Sequence, residues 1–238
     1  MVYAVLSSKA PRECIDSLAA LGFTTLLLPP FERLSSPVDT HADMLFFSYK
    51  DHIVTHREYR RSAKSVFDTL ENSCNKRIIP TDDMIGDRYP QDVAFNAIAL
   101  GRTLYSLTKS TSVAITGIAM KEGLETVSVT QGYAACSTLA LCDTHVITAD
   151  KALAKKYKEN GVSVTLISSG AISLCPYDYG FIGGTSGVFE DTVYFAGDID
   201  THPDAKSIRA AISAHGMRVV SLTDGELCDI GGIKFFKD

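Results

Sequence analysis

Residues 41–59, HADMLFFSYKDHIVTHREY, contain an apolar run, a short polar segment, a second apolar run and a polar start to a further segment. This pattern predicts two antiparallel strands joined by a tight turn and followed by a helix, because short apolar runs bounded by turn residues are typical of buried strands. A similar phrase, ACSTLALCDTHVITADKAL, returns at residues 135–153. The recurrence indicates an internal repeat, and the repeat decides the fold.

Each copy of the phrase continues through a helical segment into one more strand. The predicted unit is therefore strand, strand, helix, strand, recurring about every 40 to 50 residues, which is a period typical of stacked or radially arranged modules. Asp51, Asp143 and Asp191 occupy equivalent turns between the paired strands, as expected of a short side chain that bonds its own backbone. The predicted modules comprise residues 41–80, 92–131, 135–168, 184–222, and 227–238 together with 1–30.

The two chain ends complement one another. Residues 1–30 supply a strand, a helix and a strand, whereas residues 227–238 supply only the first strand of a unit, here termed the leading strand. They form a complete module if the chain closes into a ring, which also leaves no open sheet edge at the junction. The predicted fold class is α/β, with five pseudo-symmetric ββαβ modules in one domain, residues 1–238. The alternative is a doubly wound α/β sheet, but no Gly-x-Gly-x-x-Gly follows a strand and the strands come in hairpin pairs.

Composition excludes several classes of function. A net charge of −5 disfavours a nucleic-acid partner, and the densest basic cluster, Arg57, Arg60, Arg61 and Lys64, is predicted to be a solvated helix face. The chain shows neither a basic leader with an apolar run nor about twenty consecutive apolar residues, so we expect no membrane partner. The 6 cysteines form no Cys-x-x-Cys pair, which predicts neither a zinc site nor a disulfide framework and fits the cytoplasm.

A ring of five ββαβ units resembles the pentein, or α/β-propeller, fold of the guanidino-group-modifying superfamily. That superfamily includes arginine and agmatine deiminases, dimethylarginine hydrolases and amidinotransferases, and the same fold serves a ribosome anti-association factor without enzyme activity. The segments YDYGFIGGTSG, HPD and SLTDGELCDIGGI are similar to an uncharacterised bacterial branch. The resemblance implies a ligand on the central axis, where carboxylates bind a guanidinium, a His transfers protons and a late Cys attacks the guanidinium carbon.

Polar residues recur where the leading strands would approach this axis. A polar side chain entering an apolar strand is costly unless it is paired or meets a ligand. We therefore predict Asp43, Asp92 and Asp229 as charge partners for a ligand, with Asn96 and Ser186 as orienting groups. The alternative is that the three aspartates cap turns or accept backbone N–H groups.

The predicted catalytic residues depart from the family pattern. The family nucleophile follows a late glycine pair, as in Gly-Gly-x-x-Cys, but this chain has GGIKFF, with Lys234, Phe235 and Phe236 where the thiol belongs. Cys136, at the start of a leading strand, and Cys228, before the glycine pair, are the remaining candidate nucleophiles; otherwise each is a small packing residue. His41 is the candidate acid or base, or else a structural histidine.

The glycine-rich stretch YGFIGGTSGVF fits either a phosphate cradle or a tight chain reversal, and the lack of a following Lys favours the reversal. No cofactor and no metal are predicted. The expected function is an axial pocket for a small guanidino, ureido or amino compound. Its catalytic form would be a C–N hydrolase or an amidinotransferase-like enzyme that lacks the usual C-terminal Cys. The alternative is a non-enzymatic interaction protein that uses one face of the ring.

Overall fold

Fifteen strands form five separate three-stranded sheets in the computed structural model, which describes residues Met1–Asp238. The strands are β1 Val2–Ser7, β2 Thr24–Leu28, β3 Phe46–Tyr49, β4 His52–His56, β5 Arg77–Thr81, β6 Ile98–Leu100, β7 Thr103–Ser106, β8 Glu125–Ser128, β9 Thr138–Cys142, β10 His145–Thr148, β11 Ser163–Leu166, β12 Ser186–Phe189, β13 Thr192–Phe195, β14 Arg218–Ser221 and β15 Lys234–Lys237. The helices are α1 Arg12–Ala20, α2 Ala42–Leu45, α3 Arg57–Ser62, α4 Lys64–Ser73, α5 Val113–Lys121, α6 Lys151–Glu159 and α7 Ala205–Ala214. A short 3-10 turn spans Ile199–Thr201.

All five sheets repeat one arrangement. The middle strand pairs antiparallel with the leading strand and parallel with the strand that follows the helix, in the orders β3-β4-β5, β6-β7-β8, β9-β10-β11, β12-β13-β14 and β15-β1-β2. The parallel pair requires a crossover, which the helix supplies. The predicted ββαβ unit is therefore confirmed as the building block of the fold.

The chain ends meet in the fifth sheet. β15 pairs antiparallel with β1, with Val2 opposite Lys237 and Val5 opposite Lys234. β1 then pairs in parallel with β2 across helix α1. The predicted closure of the ring by the terminal segments is confirmed, since the last strand completes a sheet begun by the first residues.

Each long helix buries one apolar face against the sheets. Helix α4 buries Val66, Phe67 and Leu70, and α7 buries Ile208, Ala211 and Ile212, the three-to-four-residue spacing of an amphipathic helix. Gly161 ends α6 with a φ of +77°, a conformation that favours glycine at the C-terminal stop of a helix. No helix in the fold is long and apolar enough to cross a bilayer.

The leading strands face a common centre. Residues from all five of them, β3, β6, β9, β12 and β15, line one cavity of about 310 Å³, which we term the strand channel. Backbone bonds join neighbouring modules directly: Gly232 N donates to Gly184 O at 2.7 Å, Gly184 N donates to Cys136 O at 3.1 Å, and Asp43 N donates to Gly231 O at 3.2 Å. These bonds fix the residues just before the leading strands around the axis.

Two local predictions were wrong. The strand expected from HADMLFF begins only at Phe46, because the His41 carbonyl accepts bonds from Met44 N and Leu45 N and closes the helical turn α2. The helical segment predicted after the second strand of residues 41–59 is not one helix, because it breaks at Ala63 into α3 and α4. Arg60 of α3 bonds both Asp68 and Glu71 of α4 across this break.

Candidate functional site

Asn96 organises the residues that precede the leading strands. Its side-chain nitrogen donates to Asp43 O at 3.1 Å and to the Cys136 Sγ atom at 2.8 Å, while its oxygen accepts from Ala135 N at 2.8 Å. Asn96 is 1% exposed and its hydrogen-bonding groups are engaged by two other stretches of chain, residues 43–44 and 135–136. These contacts show that Asn96 holds chain segments in place around the axis. A direct contact between Asn96 and a ligand stays a prediction.

A second cavity lies on the N-terminal side of the leading strands. It has a volume of about 230 Å³ and includes His41, Cys136 and Asp229, with an aromatic wall of Tyr133, Tyr179 and Phe181. The Tyr133 and Phe181 rings lie 6.0 Å apart, and Tyr179 meets Phe181 edge-on at 6.1 Å. We term this space the axial cavity, because three of the predicted site residues converge there.

Asp229 is held rigidly at the cavity wall. Its Oδ2 accepts from Phe181 N at 2.8 Å and its Oδ1 from Gly231 N at 3.0 Å. A Cβ atom on Gly184 would lie 2.0 Å from Oδ1, so only glycine fits beside the carboxylate. Burial raises the pKa of Asp229 to about 7, and the negative charge of Asp43 acts in the same direction. Asp229 therefore exchanges its proton near neutral pH.

His41 lies beside this carboxylate. Its Nδ1 atom is 3.6 Å from Asp229 Oδ1, and its side chain is buried. Burial lowers the pKa of His41 to about 4, with a smaller contribution from the positive charge of Lys9, so the imidazole is neutral at pH 7. Gly231, with a φ of +77°, allows this approach, since a Cβ there would lie 2.2 Å from the His41 Cβ.

Asp43 carries an unpaired buried carboxylate. The residue is 2% exposed, and neither side-chain oxygen has a hydrogen-bond partner. Burial raises the pKa of Asp43 to about 6; the charge of Lys234, followed by the nearby Cys136 thiol and the N–H groups of Asp43 and Met44, opposes that effect. Asp43 lines the strand channel together with Ser186, rather than the axial cavity. The predicted charge partners are thus divided between two cavities.

The two candidate nucleophiles are protonated thiols in this arrangement. Burial raises the pKa of Cys136 well above its ordinary value, and Asp43 and then Asp229 add to that effect. Burial also raises the pKa of the half-buried Cys228, which lines an adjoining, more open cavity that shares His41 and Asp229 with the axial cavity. Neither thiol is in the electropositive setting that activates a cysteine.

The remaining predicted residues are engaged within the protein. Asp92 accepts a 2.6 Å bond from the Tyr133 hydroxyl behind the aromatic wall, and burial raises its pKa. Ser186 donates to Ile182 O at 2.7 Å. Asp92 therefore supports the cavity wall through Tyr133, while Ser186 fixes the chain entering β12. No group of three or more His, Cys, Asp or Glu side chains is arranged to hold a metal ion.

The glycine-rich stretch packs as a chain reversal. A Cβ atom on Gly183 would lie 2.4 Å from Ala135 O, and one on Gly180 would lie 2.4 Å from the Asp229 Cβ. These close approaches account for the glycines through packing alone. Sequence reasoning missed the loop aromatics and Asp178 that border the axial cavity. The signal was present in YDYGF, whose two tyrosines belong to neither an amphipathic helix nor a strand.

Comparison with known proteins places this geometry in context. Residues 5–234 match the model of a family of unknown function, DUF6873. No curated protein matches the chain. Three solved structures share the fold. A mutant of the dimethylarginine dimethylaminohydrolase of Pseudomonas aeruginosa, complexed with citrulline, has 14% identity and a TM-score of 0.55, covering 97% of this chain and 95% of that one.

Two further structures have comparable likeness. The agmatine deiminase of C. jejuni has 8% identity and a TM-score of 0.59, covering 99% of this chain and 93% of that one. SxtG, an amidinotransferase from Microseira wollei in the saxitoxin biosynthetic pathway, has 12% identity and a TM-score of 0.50, covering 92% of this chain and 78% of that one. Likeness at this level of identity concerns the fold. The chain thus has the fold of the pentein superfamily and belongs to the DUF6873 family.

Proposed function

We propose that the axial cavity binds a small guanidino or amino compound, with Asp229 as the charge partner of its cationic group. The observation that carries the proposal is the buried Asp229 carboxylate facing a cavity of about 230 Å³ with aromatic walls. Each Asp229 oxygen accepts one backbone N–H and keeps a second acceptor site, and a planar cation can bond both oxygens.

The aromatic wall supports the same ligand class. Tyr133, Tyr179 and Phe181 line the cavity. Aromatic faces attract cations, most strongly where the cation is partly desolvated. Asp178, exposed at the same cavity, adds a second negative charge near its opening. A bound cation would therefore be stabilised by the Asp229 carboxylate, by the aromatic rings and by the negative charge of Asp178.

Catalysis at this site, if the protein turns its ligand over, would use water rather than a cysteine. The Cys136 thiol is protonated, whereas Asp229 has a pKa of about 7 and stands beside the neutral His41. Such a carboxylate can accept a proton from water near neutral pH, and the neutral imidazole can orient that water. The expected reaction class is hydrolysis of a C–N bond without a covalent intermediate: the oxygen of water bonds to the guanidinium carbon as Asp229 takes the water proton, and that proton passes to the amine that leaves. A non-enzymatic interaction protein would not need the pair of Asp229 and His41.

The test is a ligand panel measured by thermal shift and calorimetry. Agmatine, arginine, dimethylarginine and putrescine are the cationic probes, and citrulline is the neutral ureido probe. We expect at least one cation to stabilise the protein, and Asp229→Asn to weaken its binding by about tenfold or more. Ammonia release measured on the same samples distinguishes turnover from binding.

Matched variants separate a local effect from a general loss of charge. Asp178→Asn should weaken cation binding by a smaller factor, and Tyr179→Ala should do so without changing charge. Asp224→Asn, at an exposed loop position outside both cavities, should change nothing. Absence of binding by every panel member would favour the interaction-protein alternative and rule out the proposed ligand class.

A further inference from the structure

The strand channel is a second, separate cavity on the ring axis. It shares no lining residue with the axial cavity, and all five leading strands contribute to its wall. Each leading strand is an edge strand, because it pairs with only one neighbour in its sheet. Backbone N–H and C=O groups along these inner edges therefore offer hydrogen bonds to a small polar molecule.

Asp43 lies at the end of this channel nearest the axial cavity. It is 2% exposed; the Cys136 thiol and the N–H groups of Asp43 and Met44 lie near its carboxylate, but neither oxygen has a partner at hydrogen-bond geometry. Removing a carboxylate from water without a compensating partner is strongly unfavourable. Every such group in a native structure calls for an explanation, and a ligand cation is the simplest one here.

Lys234 brings an opposite charge into the same channel. It is the first residue of β15, lines the channel and acts electrostatically on Asp43. The two groups make no direct contact, because neither oxygen of Asp43 has a hydrogen-bond partner. A negative and a positive group thus share a cavity of about 310 Å³ with a gap between them.

We propose that the strand channel binds a small zwitterion, whose ammonium group pairs with Asp43 and whose carboxylate pairs with Lys234. A simple cation would be attracted by Asp43 but repelled by Lys234. A simple anion would be attracted by Lys234 but repelled by Asp43. A zwitterion satisfies both charges with no net charge added to the channel. This site stands on its own residues and does not depend on the function proposed for the axial cavity.

The experiment compares zwitterions that differ in the distance between their two charged groups. Glycine, β-alanine and γ-aminobutyrate are titrated into the full-length protein by calorimetry, with binding confirmed by saturation-transfer NMR. Ethylammonium and propionate are the matched single-charge probes. We expect one zwitterion to bind at least about tenfold more tightly than either single-charge probe. We expect Asp43→Asn and Lys234→Met each to weaken that binding by about tenfold or more.

Control variants locate the effect in the channel. Lys237→Met removes an exposed lysine from the same strand and should leave zwitterion binding unchanged. Tyr179→Ala, in the axial cavity, should also leave it unchanged. Circular dichroism verifies that each variant is folded, and Lys234→Gln replaces Lys234→Met if the latter is not. Failure of all the zwitterions to bind below about 10 mM, equal binding of the single-charge probes, or indifference to Lys234→Met would each overturn the proposal.

Discussion

The side-chain amide of Asn96 donates a hydrogen bond to the Sγ atom of Cys136 at 2.8 Å. A donor of this kind favours a thiolate, but it is outweighed here. Burial, followed by the charges of Asp43 and Asp229, raises the pKa of the Cys136 thiol well above its usual range. The residue that most resembles a displaced nucleophile is therefore held in its unreactive form chiefly by burial, and the two carboxylates add to that effect.

Cysteine alkylation is expected to follow exposure rather than position on the axis. Under native conditions, iodoacetamide should label the exposed Cys142 and Cys175 first, and the buried Cys14, Cys74 and Cys136 slowly. The reason is that alkylation needs an accessible thiolate, which Cys136 does not provide. Peptide-resolved mass spectrometry measures the rates, with urea-unfolded protein as the reference for intrinsic reactivity. Faster labelling of Cys136 than of Cys175 would contradict the protonated-thiol assignment and revive a covalent mechanism.

The pH dependence of stability should change when Asp43 is neutralised. The pKa of Asp43 is about 6 in the folded protein, above its ordinary value of 3.8, so the folded state binds more protons than the unfolded state between these values. The free energy of unfolding contributed by Asp43 therefore falls as pH rises through this window and is lowest above it. Asp43→Asn removes this penalty, which is on the order of 2 to 3 kcal/mol at pH 7.5.

Chemical denaturation at pH 3.5 and pH 7.5 measures this effect as a difference between proteins. Asp43→Asn should gain stability relative to wild type only at the higher pH. Asp43→Asn also removes a negative charge that raises the pKa of Asp229, so the smaller penalty on Asp229 adds to the gain at the higher pH. Asp224→Asn, at an exposed loop position outside both cavities, is the control. If the stability difference between Asp43→Asn and wild type is the same at both pH values, burial does not raise the pKa of Asp43.

Cation affinity in the axial cavity should rise with pH through the titration of Asp229. Its pKa is about 7, so the carboxylate gains its charge between about pH 6 and 8, while His41, with a pKa of about 4, stays neutral. Agmatine keeps its charge over this range. Calorimetry should show affinity rising several-fold from pH 6 to pH 8 and levelling above it. Asp229→Asn should bind weakly with no such rise, and a pH-independent wild type would argue against Asp229 as the charge partner.

The fold could be predicted from the sequence because each repeat has recognisable local patterns of apolar and turn residues. The hairpin turns, the helix stop at Gly161 and the unpaired leading strand at residues 227–238 each have a short-range signal. The site was harder to predict, because its key distinctions depend on packing. Asp43 and Asp229 look equivalent in the sequence, yet one has no hydrogen-bond partner and the other accepts two backbone bonds. Asp92 meets Tyr133 through a contact between residues 41 positions apart, which no local pattern reveals.

Closure of the ring by β15 should be essential for folding. Phe236 is only 6% exposed and lies opposite Tyr3 on β1. Its ring centroid is 6.3 Å from that of Phe46 on β3, so Phe236 connects the last strand to both β1 and β3. Phe236→Ala should lower the free energy of unfolding by about 3 to 5 kcal/mol, the usual cost of deleting a buried aromatic side chain. Lys237→Ala, exposed on the same strand, should change it by no more than about 0.5 kcal/mol. Denaturant titrations monitored by circular dichroism measure both.

Removing residues 228–238 is the stronger form of this test. The deletion takes away β15, Asp229 and the bonds from Gly232 N to Gly184 O and from Asp43 N to Gly231 O, which leaves β1 as an exposed sheet edge and opens the axis. We expect the shortened chain to lose cooperative unfolding and to aggregate. A shortened chain with a native-like spectrum and a sharp unfolding transition would mean that the other four modules fold without the ring. The last strand would then be an accessory to the fold rather than a part of its closure.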